Sequence, residues 1–236
     1  MVNQIEDIEG RESKLATNRA VDLVVLSDPE SPVAEAYRSL RSTVKFANVE
    51  PPVRSVAIAD AGTGGQHAAA AANLGAALAI GGDSVILVDA DLRAPSLHTY
   101  FGVQNSHGLC DWLAGRDVTR PLPLEATSIA GLSILPAGLS AGSSSALPAD
   151  LLGRDSAREL FRLLREQASF VVVNGPSLAE YSDLLAVAPR VDAVLLLIRS
   201  GKTKRAAAQQ AKTSLERVGA RILGVVLTDS GGHFRG

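Results

Sequence analysis

Short runs such as Phe170–Asn174 and Ala193–Ile198 are apolar at nearly every position, and this most limits what the chain can become. A strand with one wet face alternates apolar and polar residues, so a strand that does not alternate must be covered on both faces. Val53–Ala59, Ser84–Asp89, Leu132–Leu135 and Arg221–Leu227 read as further strands. Between the strands, Ala68–Ile80, Gly108–Ala114, Asp155–Gln167, Tyr181–Ala188 and Thr203–Val218 carry helical patterns. The alternation predicts one α/β domain, a mainly parallel β-sheet with helices on both faces.

The 236 residues suffice for an independent core, and 46% hydrophobic with 20% charged is a globular composition. Lys plus Arg is 23 and Asp plus Glu is 25, which argues against a nucleic-acid binder with a dominant basic surface. The single cysteine, Cys110, excludes an intrachain disulfide framework and reads as a small buried residue. No apolar run approaches the ~18 residues that cross a bilayer, and residues 1–18 lack the apolar stretch of a signal peptide. The expectation is a cytoplasmic protein. Residues 1–30 read as a flexible segment, with Val21–Leu26 a short strand or docked piece; 31–229 read as a single domain and 230–236 as a short tail. Ser31 as cap, Pro32 in the first turn and Glu35 near the positive end predict a helix through about Phe46. Ser140–Ala149 reads as a surface loop.

In an open parallel sheet, ligands bind beyond the carboxyl ends of the strands. The turn after the first core strand contains Gly62, Thr63, Gly64, Gly65, Gln66, His67, Ala68 and Ala69, and leads into a helix. Strand, glycine-rich turn, helix is the setting of a phosphate-binding P-loop, whose amides and helix start point at phosphate. The side chains disagree with that backbone. Aligned on the pattern ending Gly-Lys-Ser/Thr, Gln66 replaces the glycine, His67 the lysine and Ala68 the hydroxyl that ligates Mg²⁺. A charge-assisted hydrogen bond is worth about 1.5–3 kcal/mol, so losing the lysine weakens triphosphate binding by roughly ten- to a hundredfold. For His67 itself two readings stand: a solvent-facing residue at the helix start, or a residual phosphate contact.

The next strand ends in Asp89 and Asp91, two carboxylates placed to hold Mg²⁺ or polarise water, although Asp89 also suits a cap for the following helix. A third strand ends in Asn174, a neutral residue where P-loop enzymes carry aspartate. Lys202, Lys204 and Arg205 read as a solvated helix start, with nucleotide or partner contact the second reading, and Trp112 as a core or loop anchor in preference to a ligand platform.

Together these residues resemble the cytoplasmic domain of bacterial tyrosine kinases, the BY-kinases of capsule and exopolysaccharide assembly, in the deviant-Walker P-loop group that includes MinD and ParA. The resemblance runs from about Ser31 to Leu227. Glu35, Arg38 and Arg41 match the family's Glu-x-x-Arg-x-x-Arg helix, which implies pairing between subunits of a ring; taken alone, the spacing fits support within one helix. Asp89, Asp91 and Arg93 match its second Walker motif, while Gln66, His67, Ala68 and Asn174 depart from the first and third. Thr228 and Asp229 stand where an Asn-Arg pair lies near the adenine. The family's tyrosine-rich tail has no counterpart in Ser230–Gly236; Tyr37, Tyr100 and Tyr181 lie in structured regions.

The resemblance with these departures implies a catalytically silent, pseudokinase-like protein that is a structural or regulatory part of polysaccharide biosynthesis. No catalytic residue, resident metal or cofactor is expected, with ATP or ADP and Mg²⁺ bound weakly at most. Expected partners are further copies in a ring, an active BY-kinase, or a membrane chain-length regulator that keeps the protein at the inner face of the membrane, and no nucleic acid. The alternatives are an active ATPase or tyrosine kinase using Asp89 and Asp91, and a MinD/ParA-like positioning ATPase.

Overall fold

The apolar runs lie between two layers of helices. The computed structural model describes residues 23–64, 66–115, 120–138 and 147–228. In chain order these form α1 (Val24–Ser27), α2 (Pro32–Lys45), β1 (Ser55–Asp60), α3 (His67–Ile80), β2 (Val85–Asp89), α4 (Leu97–Phe101) and α5 (Leu109–Ala114). Then come β3 (Glu125–Ala126), β4 (Leu132–Leu135), α6 (Pro148–Gly153), α7 (Asp155–Gln167), β5 (Phe170–Asn174), α8 (Asp183–Val187), β6 (Ala193–Arg199), α9 (Arg205–Arg217) and β7 (Ile222–Thr228). The seven strands order as β3-β4-β2-β5-β1-β6-β7. All pairs are parallel except the short edge pair of β3 with β4.

Two cores explain why the strands do not alternate in character. Val56 and Ile58 of β1, Leu87 of β2 and Val172 of β5 face a core shared with α2 and α3. Their neighbours Ala57, Ala59, Val88 and Val173 face the opposite core, shared with α5, α6, α7 and α9. Successive side chains of a strand point to opposite faces, so both sets must be apolar. Each buried Val, Leu or Ile contributes about 1.5–3 kcal/mol.

Helix α3 is almost wholly alanine, leucine and glycine because it is buried nearly all round, between the sheet and α2. Small side chains let it lie close on the strands: a Cβ on Gly75 would come within 2.8 Å of Leu87. In α2, Ser31 Oγ accepts a hydrogen bond from the Ala34 amide at 3.2 Å and Pro32 opens the first turn, as expected. Its far end is tied down by Lys45, whose Nζ lies 2.7 Å from an Asp83 carboxylate oxygen.

Several details differ from the sequence reading. The described part of Val21–Leu26 is the helix α1, whose Val25 is buried and whose Val25 amide donates to Asn73 Oδ1 at 3.2 Å. The packed body therefore begins before Ser31, with Leu23 also buried. Within Ser140–Ala149, Pro148 and Ala149 belong to α6, since proline suits a first helical turn. Helix α8 starts at Asp183, later than Tyr181. The segments 1–22, 139–146 and 229–236, which include most of the expected flexible N-terminal segment, loop and tail, lie outside the described residues. Among the described residues no helix is long and apolar enough to cross a membrane.

Candidate functional site

β1 lies between β5 and β6, and its carboxyl end releases the chain into the turn at 61–66. The turn is pinned from below. The Ala61 amide donates to Leu197 O at 3.0 Å, the Gly62 amide to Asp60 Oδ1 at 2.8 Å, and Ser177 Oγ to Gly62 O at 2.5 Å. Burial pushes the Asp60 carboxyl up, against the opposing pull of the Gly62 amide. Thr63 and Gly64 are exposed, so the top of the turn is open to a ligand; Gly65 lies outside the described residues. Gly64 has φ of 124°, a conformation that only glycine adopts without strain. Gln66 caps α3 with no side-chain hydrogen bond, Ala68 is buried, and Ala69 is half-buried.

Arg199 closes one side of this turn, and the sequence reading missed it. Its Nη1 lies 3.3 Å from Thr63 O, and a Cβ on Gly64 would collide with that nitrogen. Thr203 Oγ1 holds the Arg199 amide at 3.0 Å. The signal was available, because Arg199 ends the apolar strand beside β1, where ligand-facing residues gather. Lys202, Lys204 and Arg205 are exposed at the start of α9, as expected of a solvated helix end.

His67 is not solvent-facing. It is 7% exposed, and its Nε2 lies 3.0 Å from Asp91 Oδ2. Since a carboxylate oxygen accepts, this nitrogen carries the proton, and Nδ1 is left buried without a partner. The shorter reach of histidine turns the group inward onto the acid where a lysine extends over the turn. Asp91 Oδ1 also accepts from the Arg93 and Ala94 amides at 3.2 and 3.1 Å. Burial works to raise Asp91, but the hydrogen bonds from His67 and the two amides outweigh it and hold the carboxyl below its ordinary range.

Asp89 is fully buried and takes the capping role that the sequence left open. Its Oδ2 accepts from the Ser96 and Leu97 amides, each at 2.9 Å, at the start of α4. Its Oδ1 accepts from Asn174 Nδ2 at 2.8 Å. Burial pushes its carboxyl up to about 6, against the pull of those donors. Both Walker-type carboxylates are thus hydrogen-bonded by the protein itself.

Arg93 turns away from the turn and onto Asp183, with Nε to Oδ2 at 2.6 Å and Nη2 to Oδ1 at 3.1 Å. Its guanidinium lies over the Tyr181 ring, 4.2 Å from the centroid. On α2, Glu35 and Arg38 pair at 2.7 Å on the surface, and Arg38 also reaches Pro29 O. Arg41 reaches back within the same chain to Ala77 O at 3.2 Å. Trp112 and Cys110 are buried core residues; burial, with Asp111 nearby, pushes the Cys110 thiol up to about 12.

The fit of this site to Mg·ATP is poor. In place of the motif's lysine and hydroxyl stand His67, turned inward onto Asp91, and a buried Ala68. Both oxygens of Asp89 already face donors from Ser96, Leu97 and Asn174.

A parallel sheet whose first strand opens through a glycine-rich turn into a buried helix, with an Asp-x-Asp strand end beside it, defines a P-loop NTPase fold of the deviant-Walker type. No family model matches the chain. The Bacillus subtilis tyrosine-protein kinase YwqD is 30% identical over 206 residues, 87% of this chain and 85% of YwqD. The chain belongs to the bacterial tyrosine-protein kinase family. The Escherichia coli tyrosine-protein kinase etk is 28% identical over 207 residues, 88% of this chain but 28% of etk. The solved kinase domain of E. coli tyrosine kinase ETK superposes with a TM-score of 0.80 at 26% identity, covering 92% of this chain and 86% of that one. MinD from Pyrococcus horikoshii, complexed with Mg-ADP, shares the fold at 21% identity with a TM-score of 0.60, covering 74% of this chain and 69% of that one.

Proposed function

We propose that this chain is a catalytically silent member of the bacterial tyrosine-kinase family, acting as a structural or regulatory component of capsule or exopolysaccharide biosynthesis. The observation that carries the reading is the closed acid layer: Asp91 is bonded to His67, and Asp89 to Asn174 and the α4 amides. Phosphoryl transfer depends on positioning and on neutralising charge with a metal ion. Here the residues that do this in a P-loop enzyme are absent or engaged with one another. Helix α2 keeps Glu35, Arg38 and Arg41 at the surface or half-buried, which supports assembly with further copies, with an active kinase, or on a membrane-bound chain-length regulator.

The test is Mg²⁺-dependent ATP turnover by the purified protein, with tyrosine phosphorylation of a competent kinase's tail as a second readout. The expected result is no turnover above background. Joint reversion by Gln66→Gly, His67→Lys, Ala68→Ser and Asn174→Asp then asks whether the scaffold regains it. Robust turnover by the native chain that Asp89→Ala abolishes overturns the reading. Arg199 favours a second reading, nucleotide binding without hydrolysis, because its guanidinium brings a cation to the open face of the turn. Arg199→Ala then abolishes any binding of ADP.

A further inference from the structure

A second polar concavity lies away from the glycine-rich turn. Helix α7 and the segment joining α8 to β6 border an open concavity of about 460 Å³, lined by Arg158, Arg165, Pro189, Arg190 and Asp192 with the buried Phe161 at its base. Asp192 immediately precedes β6 and bonds the amide of Ser55, which opens β1, so this cavity reaches the amino end of the sheet. The turn sits beyond the other end of β1, about 17 Å away along a six-residue strand.

Three guanidinium groups meet here, and among the described residues none of them enters an ion pair. Arg165 Nη1 donates to Arg190 O at 2.8 Å, and Arg190 Nη2 to Gly153 O at 2.9 Å. Arg190 also donates to Ala186 O and Arg154 O, and all of these acceptors are neutral carbonyls, so they fix the side chains without an ion pair. Arg190 Nε is buried with no partner, an unmet donor of the kind that folded proteins rarely leave. Arg158 is exposed on α7 and faces Arg190 closely enough to repel it. Burial and that repulsion lower the Arg190 guanidinium from its ordinary value, against the attraction of Asp155 at the start of α7. Asp192 offers little compensation. Its Oδ2 already accepts from the Arg54 and Ser55 amides and from Ser55 Oγ.

We propose that this cavity binds a small organic oxyanion, a phosphate or carboxylate group carried on an apolar body. The oxyanion bridges Arg158 and Arg190 and accepts from Arg190 Nε, while Arg165 adds charge. Phe161, Pro189 and Val191 supply the apolar wall. Arginine is suited to this because its planar fork presents paired donors to two oxygens at once. A volume of this size matches a small-molecule site.

The test is a titration of the full chain with phenyl phosphate and with benzoate, followed by amide chemical shifts in nuclear magnetic resonance spectra. The expected result is saturable shifts in residues 158–166 and 189–192, with the tighter of the two probes naming the oxyanion. Among the described residues Arg158 has no hydrogen-bond partner, so Arg158→Gln leaves the melting temperature unchanged and weakens binding by about tenfold or more. Arg158→Glu abolishes it. Shifts confined to residues around Gly62–Gly64, no saturation by either probe at about 10 mM, or equal binding by Arg158→Glu overturns the proposal. Binding of hexaglutamate at this cavity with neither small probe bound also overturns it, and assigns the surface to an acidic peptide.

Discussion

Replacing Asp89 by asparagine is expected to stabilise this protein at neutral pH, although the residue is fully buried and accepts three hydrogen bonds. Its carboxyl is pushed from 3.8 to about 6 by burial, against the pull of Asn174, Leu97 and Ser96. The folded state therefore holds the proton more tightly than the unfolded chain, and stability falls as pH rises between those two values. Each tenfold difference in proton affinity between the two states corresponds to about 1.4 kcal/mol, so ionised Asp89 costs about 3 kcal/mol at pH 7.5 and under about 1 kcal/mol at pH 4.

An asparagine at this position removes that cost and keeps the donors satisfied. Its carbonyl oxygen accepts from the Ser96 and Leu97 amides, and its NH₂ needs an acceptor. Asn174 Oδ1 is buried without a partner, so turning the Asn174 amide over supplies one. The expected gain for Asp89→Asn is about 1–3 kcal/mol at pH 7.5, shrinking below about 1 kcal/mol at pH 4. Urea unfolding at pH 4.0, 5.5 and 7.5 measures it, provided the slope m is unchanged. A variant less stable than the parent at pH 7.5, or a difference that does not vary with pH, refutes the reasoning. So does Mg²⁺ raising the stability of the parent at pH 7.5 while leaving the variant unmoved, because Asp89 then ligates the ion.

Asp91→Asn should act in the opposite sense, costing about 1–3 kcal/mol at pH 7.5. Its folded carboxyl titrates below the ordinary value, so its contribution is present above that value and fades as pH falls, which the same urea series reads. Gly75→Ala should lower stability by about 1–3 kcal/mol in thermal melts, because the new methyl meets the Leu87 side chain at 2.8–3.1 Å, outweighing alanine's better helix propensity. Glu35→Ala should change stability by less than about 1 kcal/mol, since its pair with Arg38 is exposed. If α2 joins subunits, the same variant lowers the mass of the assembly in light scattering.

Much of the architecture was legible because both-face burial leaves a plain mark on sequence. Val171–Val173 and Ala193–Leu197 have no polar face to offer, and only a covered parallel sheet accommodates them. Three short helices were not legible: α1, α4 and α6 show too little of a helical period, and Val24–Ser27 has the β-branched look of a strand. In the site, the departures at Gln66, His67, Ala68 and Asn174 were visible from the motif, but where the replacements point was not. His67 is polar and opens a helix, which favours solvent on average; its burial follows from Asp91, a residue 24 positions away whose carboxylate faces it. Arg199 escaped because it belongs to no motif and reaches the turn only through the parallel pairing of β1 with β6.

The replacements at the strand ends compensate one another. An aspartate in place of Asn174 would set a second carboxylate about 2.8 Å from Asp89, and two such groups cannot both ionise without a cation between them. Asparagine supplies a donor at that point, so Asp89 is hydrogen-bonded with no second carboxylate facing it there. His67 does the same for Asp91. Two of the reversions, made singly, break a satisfied contact: Asn174→Asp adds an uncompensated charge beside Asp89, and His67→Lys takes the imidazole donor from Asp91. On the reading proposed above, recovery of turnover therefore calls for His67 and Asn174 to change together with Gln66 and Ala68.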